Sequence, residues 1–142
     1  MATFLLKTEP GEYSFDDLVR EKRSVWSGVS NPQALIFIRS MKKGDQAFIY
    51  HTGDEKAIVG LAKVVSDAYE DPKQPGKNDK GEPKHAVVDV SAVKAVKKPV
   101  TLAEMKADAK FKDFVLLKNS RLSVMPVPET LVKVISKLAG LD

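Results

Sequence analysis

The chain has 142 residues, 43% hydrophobic and 30% charged, which suits one soluble globular domain spanning 1–142 with a core of its own. It has no cysteine, which excludes disulfides, thiolate metal sites and cysteine nucleophiles, and no apolar run nears the ~20 residues that a membrane-spanning helix needs. The net charge of +4, with lysine making up 19 of the 23 basic residues, permits phosphate contacts without requiring them.

In chain order, TFLLK (3–7) reads as an opening strand. Before it there is no basic region ahead of an apolar run, so the start is not a signal peptide and the expected location is the cytoplasm. YSFDDLVREK (13–22) reads as a short helix, with Ser14 and Asp17 at capping-box spacing. SVW (24–26) is a brief extended piece holding the only tryptophan. NPQALIFIRSMKKGD (31–45) is the clearest helix. Asn31 is its cap, Pro32 takes the first helical position and Gly44 is placed to stop it. Ala34, Phe37, Ile38 and Met41 share a face, and Leu35 and Ile36 widen it enough to predict deep burial.

QAFIYHT (46–52) alternates as a strand, with Ala47, Ile49 and His51 on one side and Phe48 and Tyr50 on the other. KAIVGLAKVVSDAY (56–69) reads as one long strand in which Gly60 marks a bulge or a close backbone approach. Residues 70–84 are a loop by their prolines, glycines and mixed charges, and HAVVDVSAV (85–93) is a further strand. Thr101 and Glu104 repeat the capping box at the start of TLAEMKAD, and FKDFVLL (111–117) reads as another helical turn. SRLSVMPV (120–127) has the look of a strand at a sheet edge. PETLVKVISKLAG (128–140) closes the chain as an amphipathic helix, whose apolar face either covers its own sheet or docks on a partner.

With no regular βαβ alternation, repeat or glycine-rich fingerprint, the expected fold is α+β: a small, twisted, barrel-like sheet with short helices packed around it. The chemistry of catalysis is thin. His51 and His85 are the only histidines and lack metal-ligand spacing, so no metal and no cofactor is expected. There is no nucleophile elbow, P-loop or dinucleotide fingerprint. A small hydrolase using His51 with Glu9 or a serine remains as an alternative reading.

Binding has better material. Thr8, Glu9, Pro10, Trp26, Asn31, Tyr50, His51, Arg121 and Ser123 gather where strands end and loops begin. They offer aromatic faces and hydrogen-bonding groups suited to one flat ligand, such as a nucleobase taken out of its stack. Each also has a plain structural role. Trp26 and Tyr50 suit a core, Asn31 a helix cap and Arg121 a surface ion pair.

The segments FLLKTEPGEYSFDDL, VWSGVSNPQA, MKKGDQAFIYHTG, AIVGLAKVVSDAYEDP and LLKNSRLSVMPV occur in the order and spacing of the EVE domain family, of the PUA-like superfamily. The chain resembles that family from about residue 3 to residue 135. The resemblance implies a mixed β-barrel with flanking helices and a non-enzymatic reader of a modified base, related to the YTH domains that hold a methylated base in an aromatic cage. The implied partner is nucleic acid carrying a modified cytosine, DNA rather than RNA, bound by a monomer; an RNA- or nucleotide-binding module is the alternative. The implied pocket is Thr8, Trp26, Asn31, Tyr50, His51, Arg121 and Ser123. Trp26 and Tyr50 would be its walls, Asn31, Thr8 and Ser123 would meet the base edge, and Arg121 a phosphate. Three positions depart from the family pattern. Thr8 replaces a common serine, Ser30 stands where many members have arginine, and His85 stands where an aromatic is often found.

Overall fold

The computed structural model describes residues 1–142. Strand β1 (Thr3–Thr8) leads into helix α1 (Phe15–Glu21), β2 (Arg23–Trp26), α2 (Pro32–Ser40), β3 (Gln46–His51) and β4 (Ala57–Val64). The two-residue β5 (Tyr69–Glu70) and the long β6 (Ala86–Thr101) follow. Helix α3 (Leu102–Ala107), a 3-10 turn at Ala109–Phe111, α4 (Val115–Lys118), β7 (Val124–Pro126) and α5 (Glu129–Ala139) complete the chain.

The strands form one sheet in the order β2-β6-β4-β3-β1-β7, with β5 pairing β6. Only β1 and β3 run parallel; the other pairings are antiparallel. The end strands β2 and β7 do not pair, so the curled mixed sheet is a half-barrel flanked by short helices, an α+β fold as the sequence implies. Its centre is dry. Every residue of β3 after Gln46 is buried, whichever face it points to, because sheet covers one side and helices the other.

The capping signals are realised. The Ser14 hydroxyl accepts from the Asp17 N–H and the Asp17 carboxylate accepts from the Ser14 N–H, closing the box on α1. Asn31 Oδ1 accepts from the N–H groups of Gln33 and Ala34 at 2.9 and 3.1 Å. Thr101 caps α3 through the Glu104 N–H. Gly60 is a close approach: a Cβ there would lie 2.4 Å from the Phe15 ring, and the pairing registers on either side of it shift.

Four expectations are corrected. Helix α2 stops at Ser40, ahead of the expected 45, because Asp45 captures the chain beyond it. The Asp45 carboxylate accepts from the N–H groups of Ala2 and Lys42, both at 3.0 Å. Gly44, at φ +102°, serves that turn and donates its N–H to Val64. Ile36, expected in a widened buried face, is 59% exposed; the buried stripe is Ala34, Leu35 and Ile38, with Met41 just past the helix end. The strand expected over 56–69 breaks after Val64, where the chain turns before β5. Strand β6, expected to end at 93, continues to Thr101. Its exposed Lys94, Lys97 and Lys98 hide a ladder with β4, and Pro99 is accommodated in the irregular stretch between the Ala95 and Val100 pairings.

The remaining expectations are adjusted in extent. The helical turn expected over 111–117 divides into the 3-10 turn and α4, and the 120–127 strand contracts to β7 at the sheet edge. Helix α5 lays Leu131, Ile135 and Ala139 into the chain's own core beside β6 and ends at Gly140 in the left-handed region. No helix is long and apolar enough to cross a membrane.

Candidate functional site

The parallel pairing places the C-terminal ends of β1 and β3 side by side, with Lys7 opposite Tyr50 and Thr8 opposite His51. Neighbouring residues of a strand point to opposite faces. Thr8 and His51 therefore share one face of the sheet end, and Lys7 and Tyr50 share the other. A cavity lies on each side.

The first cavity, of about 230 Å³, is lined by Thr8, Tyr13, Ser24, Val25, Trp26 and Ser27. None of these six residues is charged. Trp26 is 7% exposed and belongs to the core, and the Tyr13 ring stands edge-on to it with centroids 6.1 Å apart at 80°. Strand β2 delivers Ser24 and Trp26 on the same face, while Tyr13 arrives from the turn that follows β1. Thr8 holds that turn: its hydroxyl donates to the Tyr13 carbonyl at 2.6 Å. The Tyr13 hydroxyl donates to Glu21 at 2.7 Å. Burial raises the Tyr13 phenol above its ordinary value; the Ser24 hydroxyl opposes the rise and Glu21 adds to it. At neutral pH the cavity thus presents neutral aromatic rings and hydroxyls.

His51 supports this region from below. Its Nε2 accepts from the Phe15 N–H at 3.0 Å, and its Nδ1 lies 2.7 Å from Glu55 Oε1. A neutral ring protonated at Nδ1 satisfies both contacts at once. Both ring nitrogens are occupied, by Phe15 and Glu55, with neither Glu9 nor a serine as partner. The second histidine, His85, accepts from the Asp71 N–H through its carbonyl, and no group of three His, Asp or Glu side chains converges to hold a metal ion.

The second cavity, of about 310 Å³, is lined by Lys7, Tyr50, Thr52, Gly53, Lys56, Leu102, Lys106, Leu116 and Ser120. Lys7 Nζ sits 5.9 Å from the Tyr50 ring centroid and donates to the Ser120 carbonyl at 3.1 Å. Burial lowers the Lys7 ammonium below its ordinary value and raises the Tyr50 phenol above its own.

Of the seven residues expected to share one pocket, Thr8 and Trp26 line the first cavity, and His51 does not line it but accepts from the Phe15 N–H beside it. Tyr50 faces the second cavity, because it precedes His51 on the same strand. Asn31 lines neither; its side-chain oxygen is committed to capping α2. Arg121 is exposed on the loop before β7, and Ser123 contributes its carbonyl to the Lys7 N–H at 2.9 Å. Sequence reasoning did not single out Tyr13, Ser24 and Ser27. The alternation of β2 around Trp26 is the one signal pointing to Ser24, and Tyr13 is placed by bonds from its backbone to Thr8 and Glu9 and from its hydroxyl to Glu21.

A curled mixed half-barrel flanked by several short helices is the fold of a PUA-like module. The chain belongs to the EVE domain family, whose model matches residues 2–138. Thymocyte nuclear protein 1 of Homo sapiens is 34% identical over 154 residues, covering 89% of this chain and 68% of that protein. The Gallus gallus protein of the same name is also 34% identical, with 89% of this chain and 64% of that protein covered. The chain thus spans about two thirds of the length of these relatives. Among solved structures, a Rhodopseudomonas palustris protein matches with a TM-score of 0.88 at 40% identity, covering 99% of this chain and 94% of that one. Human thymocyte nuclear protein 1 in complex with 5-methylcytosine-containing DNA matches with a TM-score of 0.88 at 31% identity, covering 98% of each chain.

Proposed function

We propose that this protein is a non-enzymatic reader of a modified nucleobase in DNA, a cytosine derivative seated in the cavity beside Trp26. The observation that carries the reading is the cavity's make-up: two aromatic rings and three hydroxyl-bearing serines and threonine, with no charged side chain in the lining. A neutral flat ring with polar edges is the ligand such a lining suits, through stacking worth ~1–3 kcal/mol per base and hydrogen bonds at the rim. Size agrees. An apolar cavity of about 150 Å³ holds a benzene ring, and this one, at about 230 Å³, leaves room for a pyrimidine with its substituent. Similarity to a protein solved with 5-methylcytosine-containing DNA supports the choice of base and of nucleic acid. Against the hydrolase alternative counts the Nε2 of His51, which accepts from the Phe15 N–H rather than facing Glu9 or a serine.

Filling the cavity tests the reading. Ser27 is exposed, so Ser27→Trp adds bulk at the mouth without disturbing the core. Fluorescence anisotropy with methylated and unmodified duplexes should show the natural protein preferring the methylated one and the variant binding both alike, at an unchanged Tm. A variant that keeps the full preference would place the base elsewhere.

A further inference from the structure

The second cavity has the opposite chemistry to the first. Lys7, Lys56 and Lys106 line it and no carboxylate does. None of the three takes part in the chain's ion pairs, whose basic members are Arg20, Arg23, His51, Lys77 and Lys118. We infer that this cavity is a phosphate subsite, taking a backbone phosphodiester of the nucleic acid whose base enters the Trp26 cavity on the other side of the sheet end. The inference rests on the base-reading function proposed above.

Four observations converge on it. First, Lys7 is held in place, with its ammonium fixed between the Ser120 carbonyl and the Tyr50 ring and partly withdrawn from water. Burial already works against its charge, so an arriving anion relieves a cost the fold carries in the free state. Second, Lys56 has φ +47°, in the left-handed region where a glycine or asparagine would sit at lower cost. The loop instead carries a lysine there, which lines the same cavity as Lys7 and also an adjoining one that holds Asp54 and Glu55. Third, Lys56 and Lys106 are tied to one another through the backbone. The Lys56 carbonyl accepts from the Leu102 N–H at 2.8 Å, and Lys106 follows Leu102 by one turn of α3, so both residues of that helix face the cavity. Fourth, the hydroxyls of Thr52 and Ser120 also line the cavity, giving three cations and two neutral donors around one space. That set suits a tetrahedral oxyanion rather than a base.

Position links the two cavities. Thr8 lines one and Lys7 the other, and consecutive Cα atoms are about 3.8 Å apart. A strand crossing the ends of β1 and β3 can therefore place a base on one side and a phosphate on the other. A neutral pocket for the base beside a basic one for the backbone separates identity from grip, as base contacts and phosphate contacts do in DNA recognition generally.

The experiment is a salt series of anisotropy titrations on the full chain, using one unmodified and one methylated duplex. The natural protein is compared with Lys56→Gln/Lys106→Gln, and with Lys133→Gln/Lys137→Gln, which removes the same charge from the exposed side of α5. Circular dichroism melts confirm that each variant is folded. The expected result is a Lys56/Lys106 variant that weakens equally for both duplexes, keeps the methylated-to-unmodified preference and loses about one unit of the log–log salt slope. The α5 variant should keep its slope. The inference is overturned if the Lys56/Lys106 variant matches the natural protein, or if both variants lose slope equally, which would mean diffuse attraction. Failure of the base-reading proposal looks different. The natural protein would then bind both duplexes alike, while the slope on the unmodified duplex still decides the phosphate site.

Discussion

Trp26 shows how one residue serves two purposes. It is 7% exposed and part of the core, yet it lines the neutral cavity. Replacing it with alanine should cost about 3–5 kcal/mol, as for large aromatics in other cores, so loss of binding in that variant would be confounded by loss of fold. Trp26→Phe keeps an aromatic wall and should retain most of the Tm while weakening the preference for a modified base. Tyr69 makes a second residue-scale prediction. Burial, and then the hydrogen bond it donates to Asp89 at 2.6 Å, push its phenol up to about 12. Burial opposes ionisation of Asp89, but Tyr69 and Arg23 outweigh it and hold that carboxyl below its usual range. A raised phenol favours the folded state only while it is protonated. Its contribution is therefore complete below about pH 10, the free tyrosine value, and fades as pH rises towards 12. Spectrophotometric titration of the natural protein should show a late tyrosinate step that Tyr69→Phe removes. At this scale the sequence was partly legible. Thr8 and Trp26, both singled out in the sequence, line one cavity, but Tyr50, grouped with them for its aromatic character, lines the other, because its facing is not visible in the sequence. One position along β3 decides which cavity a side chain enters.

Among the elements, those with local signals were readable and those made by distant pairing were not. The signals at Ser14, Asn31 and Thr101 are local chemistry, and all three residues cap their helices. The box closes reciprocally only at Ser14, because the Glu104 carboxylate accepts from the Thr101 hydroxyl rather than from its backbone N–H. Asn31→Ala should lower stability by about 1 kcal/mol, measured by urea denaturation, while leaving discrimination between duplexes largely intact, because Asn31 lines neither cavity. If discrimination is lost at unchanged stability, Asn31 meets the base after all. Gly60 was legible as a close approach, although nothing in the sequence identified Phe15 as the group approaching. Gly60→Ala forces a Cβ to within 2.4 Å of that ring and should cost about 1–3 kcal/mol as an overpacked site, with the loss visible in the Tm. The second half of β6 was hidden for a different reason. Its lysines face water, and only β4, more than thirty residues earlier, supplies the ladder that makes it a strand. The same holds for the end of α2, where Asp45 turns the chain through bonds to Lys42 and to Ala2 at the far end of the sequence.

For the molecule as a whole, the half-barrel brings the ends of β1 and β3 together and leaves a cavity on either face. One is lined by aromatic rings and hydroxyls, the other by three lysines among its nine residues, a local contrast that the modest net charge of +4 does not reveal. Overall charge and fold class were readable from composition and pattern. The difference in lining between the two faces was not, because it depends on strand register. In the proposed reading the base rests beside Trp26. As the only tryptophan, Trp26 reports on that cavity alone. Its fluorescence, followed while the protein is titrated at fixed low salt with duplexes carrying unmodified or 5-methylated cytosine, is the direct measurement. The account predicts a saturable change with the methylated duplex and little change with the unmodified one. An equal, weak response to both would contradict it and return Trp26 to the core alone.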